Sequence, residues 1–187
     1  MSKVYILLAD GFEEVEALAT ADVLMRAGVE VVLTSVYGDE IVRGSHGIKV
    51  VSDRSFASLD SFDSTLFADA DAVILPGGKL GTENLGRSTA VTDMVKSYYE
   101  AGKYVCAICA APTVLAASGI VDGLEVTCFP GFETKLGDAI YVNEPVKVTG
   151  TVITGRSMGT AVDFGLAIAR ALVGADIAAK TEANLHR

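Results

Sequence analysis

Residues 104–113 read Y-V-C-A-I-C-A-A-P-T and hold two of the chain's three cysteines in a C-x-x-C spacing. That spacing is open to three readings: a redox dithiol, part of a metal site, or one nucleophile with an inert neighbour. The flanking residues separate them. Residues 104–108 form an apolar run of strand type, which puts Cys106 inside a strand and Cys109 at its exit, and residues three apart on a strand point to opposite faces. A redox pair needs both sulfurs together, and a zinc site needs a second ligand pair from the remaining Cys128, His46 and His186. Cys106 and Cys128 therefore read as core residues. Cys109 reads as a nucleophile on a strand-to-helix turn, an elbow that lifts a side chain from the sheet edge into a cleft and demands small neighbours. Those neighbours here are Ala107, Ala110 and Ala111. The helix that follows predicts a thiolate favoured by the positive end of its dipole.

A carboxyl partner is available in G-F-E-E-V-E-A-L. Glu13 and Glu14 fit simple dipole complementarity in a first helical turn. Glu16 sits at the edge of the apolar face made by Ala19, Thr20 and Val23, near the end of the first strand. A carboxyl close to a thiolate is held protonated by burial and by the neighbouring charge, and can then donate a hydrogen bond to sulfur. P-G-G-K-L-G-T-E-N-L, residues 76–85, places Gly77 and Gly78 directly after another strand, an arrangement that offers free amides to an oxyanion. It matches neither phosphate-binding glycine pattern. His46 lies in the turn G-S-H-G and is a candidate accessory group. T-G-R-S-M-G-T, residues 154–160, again joins a strand to a helix.

The elements that must position these residues follow from the apolar periodicity. Strands are expected over 4–9, 29–36, 48–51, 72–75 and 104–108. Helices are expected over 13–27, 88–101, 110–118, 159–173 and 176–184, with short strands and turns over 125–154. Alternation of this kind predicts one α/β domain over residues 1–187, with a mostly parallel sheet and helices on both faces. Ligands bind beyond the carboxyl ends of strands in such sheets, so the site is expected at Gly11, at Pro76-Gly77-Gly78 and at Cys109.

The bulk numbers agree. Half of the 187 residues are hydrophobic, with 19 Gly and only 4 Pro, a composition for a compact core. A net charge of −9 disfavours nucleic acid and anionic membranes as partners. No apolar run reaches the roughly 18 residues of a membrane span. The odd cysteine count and the absence of a signal-peptide pattern point to the cytoplasm.

Taken together, L-A-D-G-F-E-E-V-E, L-P-G-G-K-L-G-T-E-N-L, A-I-C-A-A-P and T-G-R-S-M-G-T-A-V-D-F-G-L-A-I resemble, in this order and over nearly the whole chain, the ThiJ/PfpI superfamily and its parkinsonism-associated deglycase branch. The resemblance implies a flavodoxin-like three-layer sandwich that forms a homodimer. It makes Cys109 the reactive cysteine, Glu16 its protonated partner, and the amides near Gly77, Gly78 and Ala110 the oxyanion hole. It further implies a cofactor-free, metal-free glyoxalase or deglycase that turns small 2-oxoaldehydes such as methylglyoxal into lactate without glutathione. The alternative it offers is an oxidation sensor or redox-regulated chaperone working through Cys109. Ala110 stands where some members carry a histidine suited to peptidase chemistry, which argues against a protease. Phe129 stands where others carry a histidine before the proline that here is Pro130. His46, in place of an arginine near the dimer interface, could supply the missing polar group to a neighbouring subunit.

Overall fold

A computed structural model describes residues 1–56 and 63–186. Strand β1 (Lys3–Leu8) has Val4 to Leu8 wholly out of water, and an unbroken apolar run suits a strand covered on both faces. Helix α1 (Glu14–Arg26) follows, then β2 (Glu30–Ser35). Next come a hairpin of β3 (Ile41–Arg43) with β4 (Lys49–Val51), the short β5 (Arg54–Ser55), β6 (Ala72–Leu75) and helices α2 (Lys79–Arg87) and α3 (Thr89–Glu100). The second half holds β7 (Tyr104–Ile108), α4 (Pro112–Ala117), the two-residue strands β8 (Glu125–Val126) and β9 (Ile140–Tyr141), β10 (Val146–Thr149), β11 (Val152–Gly155), α5 (Ala161–Val173) and α6 (Ala175–Asn184).

Seven strands form one sheet in the order β10-β11-β7-β6-β1-β2-β5. All neighbours in it run parallel except β10 against β11. One core lies between the sheet and α1, α5 and α6, and includes Ile6, Leu24, Ile74, Cys106 and Phe164. The other lies under α2, α3 and α4, and includes Leu75, Leu85, Met94 and Leu115. This is the flavodoxin-like three-layer sandwich, with the mostly parallel sheet that the alternating periodicity predicts. Strand order reverses at β1, between β2 and β6, and such a switch point opens a crevice at the carboxyl ends of the strands.

The structure differs from the sequence reading in four places. Residues 79–87 are helical, although Gly81 and Gly86 argue against a helix there. Gly81 is required by packing: a Cβ on it would lie 2.6 Å from Phe12 Cα, so α2 crosses the 11–12 turn at backbone distance. The helix expected from 110 starts at Pro112, because Ala110 and Ala111 complete the elbow. A 3-10 turn at Met158–Thr160 precedes α5. Strands β3 and β5 are too short for periodicity to show.

Candidate active site

The ends of β1, β6, β7 and β11 lie side by side, with Leu75 paired to Ala107 and Ile108 to Gly155. Glu16, Gly77, Gly78, Cys109 and Ala110 all lie just beyond strands that end at this edge. Cys109 follows β7 with φ of +66°; among the described residues the only other non-glycine with positive φ is His186. Such a conformation costs on the order of 1–3 kcal/mol and persists only where the surroundings over-determine it. Here they do: the Cys109 amide donates to Gly155 O at 2.9 Å, its carbonyl accepts from Phe129 N at 2.8 Å, and Ala111 N donates to Ile108 O at 3.1 Å. The elbow predicted from A-I-C-A-A is present.

Glu16 is brought to the sulfur by the first turn of α1. Glu13 is the N-cap, its side chain accepting from Glu16 N at 2.6 Å. This role goes beyond dipole complementarity, since the cap fixes the start of the helix that carries the acid. Glu16 is 1% exposed. One carboxyl oxygen, Oε2, accepts from Gly77 N at 2.8 Å. The other, Oε1, is buried without a hydrogen bond of standard geometry, although the Cys109 thiol and the Met158 amide are close enough to act on the carboxyl. Burial pushes Glu16 up to about 7, against the pull of the Cys109 thiol and the Gly77 amide.

Gly77 therefore departs from the expected oxyanion role: its amide is spent on Glu16, and it positions the acid. The amides of Gly78 and Ala110 face the Cys109 sulfur. The dipole argument for a thiolate also needs correction, because α4 has only six residues and begins three residues after the cysteine. Burial, and then the Glu16 charge, push the Cys109 thiol up to about 12, while the two amides pull it down. Glu16 and Cys109 thus titrate as one coupled pair, which gives up its first proton at about 7 and shares a single proton above that.

No side chain fits at position 77. A Cβ on Gly77 would lie 2.6 Å from Glu16 Oε2 and 2.7 Å from Cys109 Cβ. Gly77→Ala is expected to displace both groups and to lower the alkylation rate of Cys109 at least about tenfold, since a 1 Å misplacement can cost about 10²-fold. An unchanged rate would show that the pair does not need this contact.

Cys106 and Cys128 are fully buried, as the sequence reading expects of core residues. His46 is not on the sulfur. Its ring Nδ1 lies 2.8 Å from Glu14 Oε2, its amide donates to Glu14 Oε1 at 2.7 Å, and its side chain is 74% exposed. Glu14 is the surprise of this corner. Burial alone would raise its pKa, but hydrogen bonds from His46 and Ser45 and from its own amide hold it down at about 2. It clamps the 43–47 turn onto the start of α1. Gly44 leaves no room for anything larger, since a Cβ there would run into the Glu14 carboxyl. Glu13, Glu14 and His46 bring donor atoms within 4.8 Å of one another. Three of the four carboxylate oxygens already accept hydrogen bonds, so the group is described by the clamp.

Residues 2–171 match the DJ-1/PfpI family. The chain belongs to that family. Protein dj-1beta of Drosophila melanogaster is 39% identical over 173 residues, covering 90% of this chain and 88% of the relative. The crystal structure of Drosophila melanogaster DJ-1beta superposes with a TM-score of 0.90 at 36% identity, over 99% of this chain and 98% of that one. Glutathione-independent glyoxalase DJR-1.2 of Caenorhabditis elegans is 34% identical over 175 residues, covering 92% and 89% of the two chains. The structure of oxidized DJ-1 from Toxoplasma gondii has a TM-score of 0.90 at 33% identity, covering 99% and 98%. Among the described residues no helix is long and apolar enough to cross a membrane.

Proposed function

We propose that this member of the family is a cofactor-independent glyoxalase acting on 2-oxoaldehydes. The observation that carries the reading is the pairing of Glu16 with Cys109, which puts one shared proton between a nucleophile and a base beneath two sulfur-facing amides. With the proton on Glu16, the thiolate attacks the aldehyde carbon and forms a carbon–sulfur bond. The alkoxide that develops is held by the amides of Gly78 and Ala110 and takes the proton of Glu16, giving a hemithioacetal. The Glu16 carboxylate then removes the C1 hydrogen, and the enediol is reprotonated at C2. C1 is oxidised to a thioester while C2 is reduced to an alcohol, so no outside oxidant is needed. Water releases lactate from methylglyoxal and returns the thiol. The glyoxalase title carried by the Caenorhabditis elegans relative supports this class of reaction. The test mixes reduced protein with methylglyoxal in the absence of glutathione and follows lactate. No lactate from the wild-type protein would overturn the reading.

A second reading, an oxidation sensor, draws on the same cradle: the Glu16 proton and the two amides suit the oxygens of a Cys109 sulfinate. Peroxide-dependent oxygen addition at Cys109 in a protein inert towards methylglyoxal favours it.

We further place the protein in the cytoplasm as a homodimer. Val15, Leu18 and Met25 on α1, Ile41, Ile48 and Val51 on the β3–β4 hairpin, and Met158 are exposed apolar side chains, and an apolar surface of this kind suits a partner subunit. In that dimer His46, on the hairpin turn, supplies a polar group to the neighbouring cleft. His46→Ala is expected to reduce turnover about 10²-fold, at the low end of acid–base contributions. Normal turnover would remove His46 from the mechanism.

A further inference from the structure

We infer that Met158 is a positioning residue of the site: its backbone amide favours the Glu16 carboxylate and so keeps the shared proton on the resting Cys109 thiol. The inference rests on the pairing of Glu16 with Cys109 proposed above and specifies how that pair is poised.

Met158 opens the 3-10 turn Met158–Thr160, shortly after β11 ends at Gly155. The turn is anchored from both sides. Before it, Gly155 pairs with Ile108, its carbonyl accepts from Cys109 N at 2.9 Å, and Arg156 N donates to Pro145 O at 2.9 Å. Across it, Ser157 and Thr160 form a capping box, with Ser157 N donating to Thr160 Oγ1 at 3.2 Å and Thr160 N to Ser157 O at 2.8 Å. The N–H of a residue at the first position of a helical turn has no carbonyl partner inside the turn. Among the described residues the Met158 N–H meets no other backbone carbonyl either. It acts on the Glu16 carboxyl. That group is 1% exposed, and its Oε1 is buried without a hydrogen bond of standard geometry, while Oε2 takes the Gly77 amide. A buried oxygen left in this state responds strongly to one nearby dipole, because the surrounding dielectric is low.

Four amides thus divide between the two partners. Those of Gly78 and Ala110 face the sulfur and favour the thiolate, and those of Gly77 and Met158 favour the carboxylate. Each set drives the single shared proton onto the opposite partner. The ionisable groups that face Glu16 are Cys109, at the end of β7, and Glu13, on its own helix, whose charge works against the carboxylate. Met158 is the place where this balance can be altered alone. Proline suits the first position of a helical turn and has no N–H to give. Ser157 before it is extended, with φ of −169° and ψ of 174°, as proline requires of its predecessor. The Met158 side chain is half exposed, so its loss takes little from the core.

The test does not require turnover. Reduced wild-type protein, Met158→Pro and Met158→Ala are alkylated at Cys109 with neutral iodoacetamide, from well below to well above the first ionisation at about 7, and the modified peptide is quantified. Below the midpoint the thiol ionises while Glu16 is protonated, so the Met158 amide has no carboxylate to favour and the three rates should coincide. Above it, Met158→Pro should label about tenfold faster, with its midpoint about one pH unit higher, the low end of what one hydrogen bond to a charged group contributes. Met158→Ala keeps the amide and should follow the wild type. In a Glu16→Gln background the proline should change nothing. If Met158→Pro does not fold, the α-hydroxy analogue of methionine at 158 removes the same N–H without a ring and should give the same shift. An unchanged midpoint and plateau, a rate change of the same size at every pH, or the same change in the Glu16→Gln background overturns the inference. If methylglyoxal yields no lactate, the glyoxalase reading falls and the labelling profile still decides this one. If Cys109 labels at no pH, both fall.

Discussion

Cys109→Ser is expected to remove lactate formation from methylglyoxal by about 10⁴-fold or more, the scale on which an enzyme loses its nucleophile. The elbow gives the substitution no reason to disturb the fold. The φ of +66° is imposed by three backbone hydrogen bonds around residue 109, and serine can accept the same constraints. A hydroxyl in the same place ionises far less readily than a thiol. Tm should therefore change little while activity disappears. Lactate formation near the wild-type rate would show that the chemistry lies elsewhere.

The wild-type pH profile follows from the same pair. Glu16 and Cys109 lose their first proton at about 7, set by burial of the carboxyl. Below that pH both groups are protonated and no nucleophile exists. The alkylation rate of Cys109 should then fall about tenfold per pH unit, as for any step requiring one ionisation. In Cys109→Ala the carboxyl no longer feels the thiol, which pulls its pKa down, so carboxyl titration should move upward.

The sequence shows the sheet, the elbow and the acid because each depends on local pattern. A continuous apolar run such as 4–9 is a buried parallel strand whatever surrounds it, and A-I-C-A-A leaves little but a tight turn for Cys109. Roles that depend on which groups meet across the fold are not legible in this way. Gly77 and Gly78 are adjacent and alike in the sequence, yet one amide goes to Glu16 and the other to the sulfur. Only the register of β6 against β7 and the rotation of α1 decide between them. Glu14 shows the same limit. Its charge in a first turn suggests solvent, but the 43–47 turn folds over it and buries it. Helix α2 is hidden for a related reason, since Gly81 is explained by contact with Phe12 and opposes the local helix preference.

Glu16→Gln is expected to cost activity and add stability together. Removing the general base should lower lactate formation by about 10²–10⁴-fold. The stability gain comes from the raised pKa. In the unfolded chain the carboxyl ionises near its ordinary 4.5, and in the native protein burial delays this to about 7. Below 4.5 both states hold the proton and Glu16 takes nothing from stability. Between 4.5 and 7 the unfolded chain gains a favourable solvated charge that the buried site refuses, so wild-type stability falls as pH rises through this window and levels off above it. The loss amounts to about 3 kcal/mol, from 1.36 kcal/mol per unit of pKa. Glutamine cannot ionise, keeps an oxygen to accept from Gly77 N, and presents its NH₂ towards the sulfur. At pH 8 the variant should exceed the wild type by up to about 3 kcal/mol in denaturant unfolding, and at pH 4 the two should converge. Equal stability at both pH values would mean that Glu16 ionises in the native protein at its ordinary 4.5, and the raised pKa on which the proposed chemistry depends would be absent. The strain of holding an acid unionised against a sulfur is thus measurable as stability withheld from the fold, and that same withheld proton is what the reaction spends.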